Sequence, residues 1–249
     1  MEKRKTDLVF GVQAIMESLK AEQNLDKIFI QRELGKGSRL GEVIELAEAR
    51  QVPVIRVPAE KLDRLTTKNH QGVVAFRGFV DYASLSDVVA TAFEEGKTPL
   101  VLVLDRITDV RNFGAICRTA EVAGLTTVVI PERGGAQVNG EAVKTSSGAL
   151  NFLPICREAS LIQAIKLLQA SGLQVIACTE KAGDYFYGID LTVPTAIVLG
   201  SEEDGISNDI IRACDYLARI PHTGEVQSLN VSVAAGVAIY EAIRQRMSL

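Results

Sequence analysis

The sequence predicts an α/β protein in two parts: a small N-terminal α/β unit, then a larger C-terminal domain built on a mostly parallel sheet. Three observations carry this. Leu100-Val-Leu-Val-Leu-Asp105 is a continuous apolar run, the pattern of a parallel strand covered by helices on both faces. A helical stretch and a second apolar run, Thr126-Thr-Val-Val-Ile130, follow it and complete a βαβ unit of about thirty residues. Strand-like and helix-like stretches then alternate to the C-terminus, as a parallel sheet with helices on both sides requires.

Taken in order, Phe10 to Leu19 reads as a helix, with Ile15 and Leu19 four apart on one face. Lys27 to Gln31 reads as a strand and Leu40 to Ala49 as a second helix. Val52 to Val57 is a strand with a proline inside, which suits an edge. A short helix over 60–66 and a strand over Gly72 to Phe76 complete a unit spanning residues 1–78. His70-Gln71-Gly72 reads as a turn, with Gly72 supplying a permissive backbone angle. Residues 79–97 read as a linker passing into a helix, and 98–249 as the second domain. There the expected elements are a strand over 100–105, a helix over about Phe113 to Ala123, and a strand over 126–130. Beyond a loop region come a helix from Leu161 to Ser171, strands over Leu173 to Thr179 and Ala196 to Leu199, and a short helix from Ser207 to Cys214. A strand from Tyr216 to Ile220 and a long terminal helix end the chain.

Composition narrows the function. The chain has 249 residues, 47% of them hydrophobic and 23% charged, as in ordinary globular proteins. No apolar run reaches the roughly 18 residues of a membrane span, and the polar Met1-Glu-Lys-Arg-Lys start lacks a secretory signal core. Cys117, Cys156, Cys178 and Cys214 are scattered, with only two histidines in the chain; this argues against a metal site and suits a reducing cytoplasm. Net charge is −4 but uneven. Residues 1–78 hold 14 Lys+Arg against 11 Asp+Glu, so a polyanion's first anchor is expected there.

Three stretches carry chemistry, each at the end of a strand, where α/β sheets hold ligands. In Asn112-Phe-Gly114-Ala-Ile-Cys-Arg118, Asn112 can cap a helix and Gly114 admits close chain approach. Arg118 either meets an anion or pairs with Glu121 or Asp109, because a buried unpaired guanidinium is costly. In Gly200-Ser-Glu202-Glu-Asp-Gly205 a carboxylate-bearing turn follows an apolar strand. It matches neither G-x-G-x-x-G nor a Walker loop, and its acids suit a cation better than a phosphate. Glu203 and Asp204 read as solvated. In the third, Ile220-Pro221 leads through Gly224 to Ser228-Leu-Asn-Val-Ser232 and a helix rich in small residues (Ala234, Ala235, Gly236, Ala238), suited to burial in the fold or at a subunit interface.

Together these stretches resemble the SpoU/TrmH branch of the SPOUT RNA methyltransferases, whose motifs N-x-G-x-x-x-R, G-x-E-x-x-G and I-P-x-x-G-x-x-x-S-L-N-V-S they match in order. The resemblance covers about residues 98–249. Residues 7–78, from Phe10-Gly11-Val12 to His70-Gln71-Gly72, resemble the substrate-binding domain that many members carry. His222 departs from the usual methionine, and a packing change is expected there.

The resemblance implies a deep trefoil knot, an exception to unknotted connectivity, and transfer of a methyl group from S-adenosylmethionine to a ribose 2′-hydroxyl of RNA. A guanosine of 23S ribosomal RNA is the expected target; another ribosomal RNA, a transfer RNA or a non-catalytic RNA-binding role in ribosome assembly are the alternatives. It also implies a homodimer; from the composition, no metal and no membrane partner are expected. Arg118, Asn112, Glu202 and Asn230 are the implied catalytic group. Leu199, Gly200, Ile220, Ser228, Leu229 and Thr179 are the implied cofactor contacts.

Overall fold

The structure is a computed structural model that describes residues 8–32, 39–50, 52–136, 138–225 and 228–247. The chain forms two compact units, residues 1–81 and 82–249.

The first unit contains β1 (Leu8–Phe10), α1 (Val12–Lys20), β2 (Leu25–Gln31), α2 (Arg39–Ala49), β3 (Val54–Val57), α3 (Ala59–Leu65) and β4 (Val73–Arg77). Its strands lie in the order β1-β4-β2-β3, so β3 is the edge its proline suggested. Phe10 ends a strand instead of opening a helix. Gly11, at φ 88°, breaks the chain direction between the two, and the Val12 amide donates to Gln71 Oε1. Gln71 and Gly72 both have positive φ in the expected turn. His70 Nδ1 accepts from the Gly72 amide, which leaves Nε2–H to donate to Asp63. Ile15, Leu19, Ile28, Ile30, Val43 and Ala75 fill the core under α1 and α2.

The second unit contains β5 (Tyr82–Ala83), α4 (Leu85–Glu94), β6 (Leu100–Leu104), α5 (Val110–Val122), β7 (Thr127–Pro131) and α6 (Gly140–Thr145). β8 (Ile155–Glu158), α7 (Leu161–Ala170), β9 (Gln174–Cys178), β10 (Thr195–Leu199), α8 (Asn208–Ala213), β11 (Tyr216–Ala218) and α9 (Val231–Met247) follow. Residues 79–97, expected as a linker into a helix, give this unit β5 and α4: Tyr82 pairs with Ile155, and Leu85 and Val89 are buried in its core. The sheet order is β11-β9-β10-β6-β7-β8-β5, every neighbouring pair parallel. β6 and β10 are buried along their whole length, as the continuous apolar runs required.

Chain direction across the sheet reverses between β6 and β10, and this topological switch point is where such sheets hold ligands. There the Asp105 amide donates to the Leu199 carbonyl at 2.8 Å. On one face α9 packs on α5 and β10, with Ala235, Ala238 and Ala242 fully buried in the chain's own fold. At its far end Arg246 holds four carbonyls, of Thr98, Leu191, Val193 and Pro99, at 2.8–3.2 Å.

Candidate active site

Helix α5 begins after Asp109, whose carboxylate accepts from the amides of Arg111 and Asn112 at 2.8 and 2.9 Å. Asp109, and not Asn112, is therefore the cap; the carboxylate two to three residues upstream reaches both amides. Asn112 is thereby left to point its amide group elsewhere. Gly114 sits where α6 crosses: a Cβ there would stand 2.7 Å from Thr145 Cβ and 3.0 Å from the Ala142 carbonyl.

The second stretch is a tight turn. Gly205, at φ 67°, donates its amide to the Ser201 carbonyl. A Cβ on Gly200 would lie 2.1–2.3 Å from backbone atoms of Gly205 and Ile206, so the turn closes only over glycine. The turn is fastened to the end of β6 from outside. Buried Asp105 (3% exposed) accepts from the Ser207 amide at 2.8 Å and from Arg106. Arg106, at φ 56°, also reaches Asp204 Oδ2 at 3.2 Å and the Gly205 carbonyl at 3.0 Å. Burying the Asp105 carboxylate is tolerable because each of its oxygens has a donor.

The third stretch joins the other two at one atom. Asn230 caps α9, its Oδ1 accepting from the Ser232 and Val233 amides. Its Nδ2 donates to Glu202 Oε1 at 2.5 Å and to Asn112 Oδ1 at 3.1 Å. Glu202 Oε1 also accepts from Asn112 Nδ2 at 3.0 Å and from the Val231 amide at 3.2 Å. An anion at the N-terminus of a seventeen-residue helix is favourably placed. Asn112, Glu202 and Asn230 are thus brought together by one carboxylate oxygen.

Beside this junction opens a cavity of about 510 Å³, within the range of cofactor sites. Leu199, Gly200, Ile220, Ser228, Leu229 and Thr179 all line it, with Glu202, His222 and Ala234. A second cavity of about 670 Å³ on the other side of the turn is lined by Arg106, Thr108, Asp109 and Asn112, and shares Ser201, Glu202, Glu203, Asp204 and Val231 with the first. Arg118 is not brought to either lining. It is exposed on α5, six residues and about 9 Å of helix beyond Asn112. Among the described residues it pairs with neither Glu121 nor Asp109.

The cavity also holds groups that the motifs did not single out. Cys178 lies in its wall, and burial pushes the thiol up to about 12, against a backbone hydrogen bond from Ile220 that lowers it. It is a neutral lining group at physiological pH. Glu180 and Lys181 join Glu202, Glu203 and Asp204 there. The Asp105–Arg106 fastening went unsingled as well; its one sequence signal is an acid that ends a wholly apolar run.

The geometry is that of an α/β enzyme with a ligand cavity at its topological switch point, and comparison with known proteins agrees. The sequence model of the SpoU rRNA Methylase family matches residues 99–240, and one described as RNA 2′-O ribose methyltransferase substrate binding matches residues 8–82. A putative TrmH family tRNA/rRNA methyltransferase, YacO, of Bacillus subtilis is 36% identical over 96% of each chain. The 23S rRNA (guanosine-2′-O-)-methyltransferase RlmB of Xylella fastidiosa is 36% identical over 98% of each. The SpoU methyltransferase AviRb of Streptomyces viridochromogenes, solved with the cofactor AdoMet, superposes with a TM-score of 0.61 at 27% identity, covering 97% of this chain and 91% of that one. The chain belongs to the SpoU rRNA methylase family. It is an S-adenosylmethionine-dependent RNA 2′-O-ribose methyltransferase.

Proposed function

We propose that the 510 Å³ cavity holds S-adenosylmethionine and that the Asn112–Glu202–Asn230 junction is the wall against which methyl transfer occurs. The junction carries this reading, because it ties three distant strand-end segments to a single oxygen bordering the cavity. The donor set fits the cofactor. Backbone groups of Leu199, Gly200, Ile220 and Leu229 can hold its polar edges, and the carboxylates of Glu180, Glu202 and Glu203 favour a cationic ligand. When bound, S-adenosylmethionine supplies an activated methyl group on a sulfonium.

The residues' tasks are to align the ribose 2′-oxygen with that methyl and to assist loss of its proton. Arg118 carries a guanidinium, which has no lone pair free to accept the proton and so is a poor base. It acts instead by gripping the ribose-phosphate and stabilising negative charge that develops on the oxygen. Its exposure, away from the cavity of its own chain, supports a homodimer in which each subunit completes the other's site. Val233 and Tyr240 of α9, 51% and 50% exposed, and Val122 of α5 supply apolar surface for that contact. The 1–81 unit grips RNA, and the expected target is a guanosine of 23S ribosomal RNA. The knot implied by the family gathers the second and third motifs at the cofactor, and the scattered thiols support a cytoplasmic location.

Arg118→Ala tests the assignment: methyl transfer to RNA falls by about 10³-fold while S-adenosylmethionine binding is kept, a loss in the range of removing one charge-stabilising group. Normal transfer by that variant would remove Arg118 from the mechanism. Mixing Arg118→Ala with Glu202→Ala subunits restores part of the activity if the sites are shared.

A further inference from the structure

The two faces of the first unit's sheet are finished differently. One is covered by α1 and α2, helices of nine and eleven residues. Among the described residues of the unit, the other meets the seven-residue α3, through Leu62 and Leu65. Strand register fixes what lies on this second face. Phe10, Val74, Phe29 and Ile55 stand opposite one another across β1, β4, β2 and β3, and Leu8, Phe76 and Lys27 form the next row. Three of the chain's eight phenylalanines are therefore on this one face. Phe10 and Phe76 are half-buried, and Phe29 lies beneath, edge-on to Phe76 with centroids 5.4 Å apart.

Each ring carries a lysine. Lys68 stands 5.3 Å over Phe10, Lys61 4.9 Å over Phe29 and Lys27 5.0 Å over Phe76. Such pairs occur roughly once per 70–80 residues, so three on one small sheet is a concentration, not a background level. Among the described residues Lys61 and Lys68 pair with no carboxylate; Lys27 has Asp26 at 3.7 Å. At Lys61 and Lys68 the lysine stem over the ring is cover that can swing aside without breaking an ion pair, whereas a packed helix cannot.

We propose that this lysine-shielded phenylalanine face binds single-stranded RNA, with bases stacking on Phe10 and Phe76 while Lys27, Lys61 and Lys68 turn from the rings to the phosphates. The assignment rests on the RNA-methyltransferase reading above and specifies which surface of the first unit meets the substrate. Stacking platforms flanked by cations are how proteins hold unpaired strands, since every base has a π-face. A duplex keeps its bases stacked inside and offers nothing for the rings.

The test uses the full chain, a fluorescein-labelled 12-nucleotide RNA without self-complementarity, and the duplex of the same sequence. Phe10→Leu and Phe76→Leu keep apolar cover but remove the stacking surface. Each is expected to weaken single-strand binding about tenfold and leave duplex binding unchanged. Lys61→Gln/Lys68→Gln removes two phosphate contacts, so the slope of log affinity against log salt should flatten by roughly 1.4. Melting temperature and S-adenosylmethionine affinity are expected to match the parent in all three. Parent-like single-strand affinity in these variants would overturn the proposal, as would equal weakening on the duplex. Should the parent itself bind and methylate no RNA, the functional reading fails with it; if the parent methylates RNA and the variants bind as it does, only the face is wrong.

Discussion

Replacing Glu202 by alanine removes the acceptor on which the three motifs converge. Oε1 takes donors from Asn112 at 3.0 Å, Asn230 at 2.5 Å and the Val231 amide at 3.2 Å. A hydrogen bond to a charged group contributes about 1.5–3 kcal/mol when dry. Glu202 is exposed, so water replaces part of each bond, and about 0.5–1 kcal/mol apiece is the appropriate figure. Losing the anion at the α9 N-terminus adds about 0.3–1 kcal/mol. The total, about 2–4 kcal/mol, lowers the melting temperature by roughly 5–12 °C for a domain of this size. Because the Gly200–Gly205 turn and the start of α9 both line the cavity, loosening them should also weaken S-adenosylmethionine by at least about tenfold. Glu202→Gln keeps an acceptor oxygen without the charge and should fall between parent and alanine. Differential scanning fluorimetry and titration calorimetry read both quantities. An alanine variant that melts within 1 °C of the parent, by the roughly 0.3 kcal/mol which that shift represents, and binds the cofactor equally would refute the reasoning.

Gly200→Ala puts a Cβ 2.1 Å from the Gly205 carbonyl carbon, a backbone neighbour that cannot rotate away. Stability should drop by about 1–3 kcal/mol and cofactor affinity by more than tenfold, read by the same two assays. Arg246→Ala leaves four carbonyls without their shared donor and is expected to cost about 3 kcal/mol in urea unfolding while cofactor affinity is retained. Cys178, its thiol held up to about 12 by burial, stays protonated at neutral pH; its thiolate fraction and hence alkylation should rise only as pH climbs toward that value. At pH 8 iodoacetamide should leave it unmodified in the native protein by peptide mass spectrometry, whereas rapid modification there would show the cavity wall to be open.

The larger sheet was legible because its central strands are buried on both faces and so read as unbroken apolar runs. Its edges were not. β5 has two residues and β8 only two fully buried ones, Ile155 and Cys156, so neither shows a periodicity that differs from a loop. Phe10, the last residue of β1, reads as the start of a helix because it continues an apolar pattern, and only the Gly11 backbone angle separates the two elements. Eight of the ten implied site residues lie within the three motifs, while Leu199 and Thr179 came only with the resemblance; nine meet at the junction or the adjoining cavity and Arg118 does not. What the sequence hid was how they are held. Glu202 and Asn112 are 90 residues apart, and Asp105 and Ser207 are 102 apart, so their pairing is a property of strand order and not of local pattern. Asn112 reads as a cap because such residues open helices, but the helix starts at Val110 and Asp109 already holds the amides of Arg111 and Asn112, so Asn112 lies inside the first turn with its side chain free for Glu202.

The most direct measurement of the central claim is transfer of tritium from methyl-labelled S-adenosylmethionine by the purified protein into RNA from cells lacking it, followed by mapping of 2′-O-methylated riboses. Label on a ribose 2′-oxygen, at a guanosine of 23S ribosomal RNA, is the predicted result. Label on a base, or none despite cofactor bound in the cavity and every RNA class supplied, would contradict it.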